Sequence, residues 1–244
     1  MNTHLHSLLK EMSDNSYCSG EWSEEGVYES SKTVSWRAYE KARQLTDTSY
    51  LPDLYNLTET SKSNATKAHA YFIIGFIAKN TNSELATKFL LDRLKVEKLT
   101  STINLILHRL ADLYKPAHLD LSVIYQLIGK KGALTRHAAY MALTNTGHSV
   151  ENSLLDLLEK TRNREDIIWI IHALGYIGTE KSLDILKTYL KHKKLRVRES
   201  VRNELPSIMI RVGLPVTEIC RLNNVSTQFV ESRKERISHL TRPG

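Results

Sequence analysis

Positive charge recurs along this chain at nearly fixed intervals, and that spacing is its clearest hint of chemistry. Basic residues fall at Lys95 and Lys98, at Lys130 and Lys131, at Arg162 and Arg164, and then at Lys193, Lys194, Arg196 and Arg198, with Arg202 following. Guanidinium and ammonium groups held at regular distances suit a surface of carboxylates or a phosphate backbone. Asp166 and Trp169, three residues apart, would share one helix face. The ten histidines form no dense group with acids or cysteines, so no metal site is expected. The sequence holds no glycine-rich phosphate loop, no G-x-S-x-G elbow and no H-E-x-x-H pair. No catalytic residue and no cofactor are therefore expected.

The total charge of +7 conceals an asymmetry. Residues 1–60 carry a net −5 and residues 61–244 a net +12. An acidic head on a basic body favours an acidic partner, either a protein or a nucleic acid. Cys18 and Cys220 lie too far apart in sequence for a disulfide framework or a metal motif, which fits a reducing compartment. No apolar run reaches the ~20 residues of a membrane span. The N-terminus lacks a secretory pattern, and the expectation is a cytoplasmic protein with no membrane contact.

The elements that must position these charges are helices. Ten glycines and five prolines in 244 residues leave few breakers among abundant Leu, Ile, Ala and Lys. The stretch REDIIWIIHALGYIGTEKSLDILKTYL, residues 164–190, reads as two helices around a turn at Gly178-Thr179. The stretch TRHAAYMALTNTGHSVENSLLDLLEKT repeats it 31 residues earlier, with Ala142-Leu143 matching Ala173-Leu174 and Gly147 matching Gly178. Two more helix pairs precede these, with turns at Lys115-Pro116 and at Asn80-Thr81-Asn82, and LRVRESVRNEL opens another. A helix pair cannot bury its apolar face alone, and stacking the pairs makes one core.

ALGYIG followed by a short second helix, and LRVRESVRNEL with arginines alternating with apolar positions, resemble HEAT and HEAT-like repeats, most strongly over residues 164–205. The resemblance implies an all-α, right-handed α-solenoid of about five helix pairs. Residues 1–33 would be a short helix plus an acidic segment in which Glu21, Glu24, Glu25 and Glu29 surround Trp22, Val27 and Tyr28. Residues 34–211 would be the repeat array, and residues 212–244 a helical cap. In such an array equivalent loops stack along one edge about 10 Å apart. Lys130, Lys131, Arg162, Arg164, Lys193, Lys194, Arg196, Arg198 and Arg202 would then form a basic ridge.

Two further expectations concern the ends and the chemistry. The tail VTEICRLNNVSTQFVESRKERI has helix-turn-helix spacing, with Ile219, Cys220 and Leu222 as the inner face of a first helix, Asn224 at a left-handed position, Ser226 as a cap, and Phe229 and Val230 burying the second helix. It would be a cap for the stack or, as a DNA reader, would present Thr227, Gln228, Ser232 and Arg233. Some HEAT-like proteins of this size are DNA glycosylases that use an aspartate and tryptophans. Asp166 and Trp169 are the available pair here, without the tryptophan-rich segment of those enzymes. The leading expectation is a non-catalytic binding module (an adaptor, scaffold or immunity-type inhibitor) that engages an acidic protein partner. A DNA-binding protein is the alternative.

Overall fold

The computed structural model describes residues 2–20, 29–130, 132–147 and 149–238. The described residues contain fourteen α-helices and no strand; two isolated backbone bridges, Tyr17 with Thr33 and Lys115 with Thr146, complete the regular pairing. The chain divides into two compact units, residues 1–114 and 115–244. No described helix is long and apolar enough to cross a membrane.

The first unit holds α1 (Thr3–Glu11), α2 (Val34–Arg43), α3 (Leu51–Thr60), α4 (Asn64–Thr81), α5 (Glu84–Val96) and α6 (Thr100–Asp112). Helix α4 is the centre, packing against α2, α3, α5 and α6. Its apolar residues run nearly all round the helix, as a buried helix requires, and Tyr71, Ile73, Ile74 and Ile77 are fully buried. Ser63 and Ser83 cap α4 and α5, each accepting a backbone N–H three residues on. Asn82 between them takes a left-handed conformation at φ 51°, which ends α4 and turns the chain. The acidic cluster Glu21, Glu24 and Glu25, with Trp22, Val27 and Tyr28, lies outside the described residues.

The second unit holds α7 (Ser122–Lys130), α8 (Ala133–Ala142), α9 (Glu151–Lys160), α10 (Arg164–Ile177), α11 (Glu180–Tyr189), α12 (Leu195–Arg211), α13 (Val216–Asn223) and α14 (Thr227–Ser238). Helices α8, α10 and α12 lie side by side as one layer, while α7, α9 and α11 each back the helix that follows them. This is the stack of helix pairs expected of an α-solenoid. Ile170, Ile171 and Leu174 of α10 are fully buried between the flanking repeats.

Polar contacts fix the register of the stack. Glu151, at the start of α9, accepts the Thr179 N–H at 2.8 Å and the Ser182 N–H at 3.2 Å, so one repeat caps the second helix of the next. Arg211, at the end of α12, donates to the carbonyls of Gly178 at 2.8 Å and Gly175 at 2.9 Å. Those carbonyls close α10 and have no partner within the helix. Burial pulls the Arg211 guanidinium down to about 10, and the Glu151 and Glu204 carboxylates oppose that shift.

Candidate functional site

The loop from α9 to α10 and the loop from α11 to α12 enclose a groove of about 470 Å³. It is lined by Arg162, Arg164, Lys191, Lys193 and Lys194, with His192, Tyr189 and Ile167 and the hydroxyls of Thr161 and Thr188. No aspartate or glutamate is among its described lining residues. Four of the residues expected along a ridge, Arg162, Arg164, Lys193 and Lys194, are therefore brought together in one concavity. Lys191, Tyr189 and His192, outside the expected set, join them: Tyr189 ends α11, and Lys191 and His192 lie in the turn that leads into α12. The Tyr189 and His192 rings stack at 6.0 Å, with an interplanar angle of 6°.

The loops take these shapes for local reasons. Asn163 caps α10, accepting the N–H groups of Glu165 and Asp166, which sets Arg164 at the first helical position facing out. The His192 Nδ1 accepts the Lys194 N–H at 3.2 Å, closing the tight turn into α12. The N-terminus of α12 has no side-chain cap and no acid in its first turn, whereas α10 has both. Positive helix-end potential thus adds to the lysines on the α12 side.

The cations are unequally committed. Arg162 donates to the Glu159 carbonyl at 2.7 Å, so its guanidinium closes the end of α9 as well as lining the groove. Arg164 and Arg196 share Glu165, at 2.5 Å and 3.5 Å. The Arg164 hydrogen bond and both positive charges hold the Glu165 carboxyl below its usual range. Arg198 turns back onto the carbonyls of His192 and Lys193, at 2.7 Å and 3.2 Å, and buttresses the loop. Arg202 is exposed on α12. Among the described residues, Lys191, Lys193 and Lys194 form no ion pair. The Lys130 side chain and Lys131 lie outside the described residues. Lys95 and Lys98 belong to the first unit, where Lys95 pairs with Asp92 at 3.0 Å.

The C-terminal pair has the expected local geometry. Asn224 is left-handed at φ 52° and ψ 48°, Ser226 accepts the Phe229 N–H at 3.1 Å, and Ile219 and Val230 are fully buried. Leu222, expected on the inner face, is instead 49% exposed, because it lies on the side of α13 turned away from α12 and α14. Both α13 and α14 pack on α12 and close that end of the stack. Thr227, Gln228 and Ser232 are exposed, and the Ser232 hydroxyl donates to the Phe229 carbonyl. Arg233 lies inward: it sits 5.1 Å from the Phe229 ring centre and 3.7 Å from the Glu204 carboxylate, with only 16% of its side chain exposed.

A polar ladder crosses the α8–α10–α12 layer. Arg136 grips both Asp166 oxygens at 3.1–3.2 Å, and the His137 Nε2 stands 3.3 Å from the same carboxylate. The Trp169 ring lies between His137, stacked at 5.3 Å, and His172, edge-on at 5.6 Å. His172 Nδ1 meets the buried Glu204 at 2.8 Å. Burial lowers the His137 pKa, against the pull of Asp166, and burial with Asp166 nearby pushes Tyr140 up to about 12. Asp166, 6% exposed and engaged by Arg136, is a structural carboxylate of the layer. The ladder spans repeats at offsets of about one period; in the sequence it shows only as that period and as the shared face of Asp166 and Trp169. Among the described residues no group of three or more His, Cys, Asp or Glu could hold a metal ion.

Stacked helix pairs, a second helix capped from the neighbouring repeat and a closing end pair define an all-α repeat protein. The family model for HEAT repeats matches residues 121–206, and this part of the chain is similar to a HEAT-repeat array. The X-ray structure of the E. coli protein YibA aligns with a TM-score of 0.47 and 13% identity, covering 98% of this chain and 93% of that one. No curated protein matches the sequence.

Proposed function

We propose that this chain is a non-catalytic binding module, an adaptor, scaffold or immunity-type inhibitor, that holds an acidic protein partner at the groove between α10 and α12. One observation carries the reading: five cations line a concave surface with no described carboxylate among them. Arg162 and Arg164 already have partners, but Lys191, Lys193 and Lys194 have none among the described residues and keep their charge for a ligand. A solenoid's usual work is to hold a surface, with no chemistry required.

The test is a titration of the protein with labelled poly-glutamate and with duplex DNA, each at about 50 and 200 mM salt. Phosphate-dominated binding falls by orders of magnitude over that range. The reading expects poly-glutamate to bind and Lys193→Glu with Lys194→Glu to abolish binding while the helical signal is unchanged. Binding of DNA alone would instead favour the nucleic-acid alternative, with Arg202, Thr227 and Gln228 as further contacts. Normal binding by the charge-reversed protein would remove the groove from the account.

A further inference from the structure

The helix starts on either side of Arg164 along the layer carry apolar residues. Two contacts align the first turns of α8, α10 and α12: Arg136 meets Asp166, and Arg196 meets Glu165. Offsets of 30 and 31 residues make Leu134, Arg164 and Leu195 equivalent positions at the same end of three neighbouring helices. Leu134 is 75% exposed and Leu195 is 53% exposed, among the most exposed large apolar side chains described in the molecule. A helix start needs neither leucine for its own packing. The edge therefore reads apolar, basic, apolar, with the groove between the second and third positions.

Resting on the reading of the groove as a site for an acidic protein, we infer that its ligand is an extended acidic segment with an apolar side chain at each end. Neighbouring helices in such a layer lie about 8–10 Å apart, so Leu134 and Leu195 are separated by about 20 Å. An extended chain rises about 3.3 Å per residue and points alternate side chains to the same face, so residues 1 and 7 of a segment span that distance on one face. Residues 3 and 5 then face Arg164 and the groove, where charge complementarity calls for carboxylates. The predicted ligand pattern is apolar-x-acid-x-acid-x-apolar. Carboxylates supply the salt-sensitive part of binding, and the leucines supply a part that survives salt.

The probe is a fluorescein-labelled peptide of sequence Leu-Ser-Glu-Ser-Glu-Ser-Leu, compared with Ser-Ser-Glu-Ser-Glu-Ser-Ser by anisotropy. The wild-type protein should bind the leucine peptide about tenfold or more tightly, since burying one leucine is worth roughly a factor of ten. That preference should persist at about 200 mM salt. The Leu134→Ser, Leu195→Ser double variant should lose the preference and keep residual binding of the serine peptide. Equal binding of the two peptides by the wild-type protein overturns the inference, and this comparison requires no variant to fold. If Lys193→Glu with Lys194→Glu abolishes binding while the leucine variants change nothing, the acidic-partner reading stands and only the apolar anchors fall. If the charge-reversed protein also binds normally, both fall.

Discussion

Glu204 occupies the space that a side chain on Gly175 would need: a Cβ there would lie 2.3 Å from Glu204 Oε2 and 2.9 Å from its Cδ. The carboxylate is thereby kept against α10, with His172 on one oxygen and Arg233 near the other. Gly175→Ala should destabilise the protein by about 1–3 kcal/mol through overpacking. Gly129, near the end of α7, has nothing within 4 Å of its would-be Cβ. Gly129→Ala should be neutral or stabilising by up to ~1 kcal/mol. Urea midpoints of the two variants check this, and equal midpoints would mean that the notch is not tight.

Arg211 joins the end of α12 to the end of α10. Arg211→Met leaves the Gly175 and Gly178 carbonyls without that donor and should cost about 1–3 kcal/mol in thermal or denaturant melts. Arg211→Lys should recover only part, since one ammonium does not reproduce the fork that reaches both carbonyls. Full recovery by lysine would show that charge alone is needed.

Ile170 and Leu174 sit at the centre of the layer, and both are fully buried. Ile170→Asp or Leu174→Asp puts an unpaired charge there, and the far-UV circular dichroism of the second unit should collapse. Lys193→Glu and Lys194→Glu, on an exposed loop, should shift stability by no more than about 0.5 kcal/mol. The contrast separates folding residues from binding residues.

His69 of α4 is 8% exposed, edge-on to Tyr39 at 5.8 Å, and burial lowers its pKa. Below pH 6.5 the unfolded chain takes up this proton while the folded one resists, so stability falls as pH drops from about 6.5 towards the depressed folded value. His69→Gln should flatten that part of the acid limb, as measured by denaturant midpoints between pH 5 and 7.5. An unchanged slope would place the acid sensitivity elsewhere.

Asn224 ends α13 in the left-handed region, which costs other L-residues about 1–2 kcal/mol. Asn224→Gly should be tolerated, and Asn224→Val should loosen the α13–α14 cap. Hydrogen exchange of the Val230 amide, which donates to the Ser226 carbonyl, reports this locally. Equal protection in both variants would count against a strained turn.

What could be read in the sequence was what obeys local rules. The left-handed Asn224 and the Ser226 cap are short-range features, and so is the turn at Gly178, where a Cβ would meet the Leu174 carbonyl at 2.7 Å. The loop cations Arg162, Arg164, Lys193 and Lys194 could be placed because equivalent loops stack. Lys191 and His192 belong to the basic stretch KHKKLRVR, but they fall after α11, and only the turn into α12 brings them over the groove. Arg198 and Arg233 lay within basic stretches that read as surface, yet one turns onto loop carbonyls and the other onto Glu204. Their directions depend on neighbours six and twenty-nine residues away. The Arg136–Asp166 and His172–Glu204 contacts join residues about one period apart, which no local pattern reports.

The capping of α11 by Glu151 has a consequence for how this array could change. Apolar contacts between repeats are largely interchangeable, since one leucine face fits another. Glu151 with Thr179 and Ser182, and Arg211 with the end of α10, behave instead as addresses, each valid for a single neighbour. Excising or duplicating one 31-residue period would conserve the apolar faces and misdeliver these contacts. The copies in this unit have become individuals, and the array can be edited by substitution far more readily than by whole repeats.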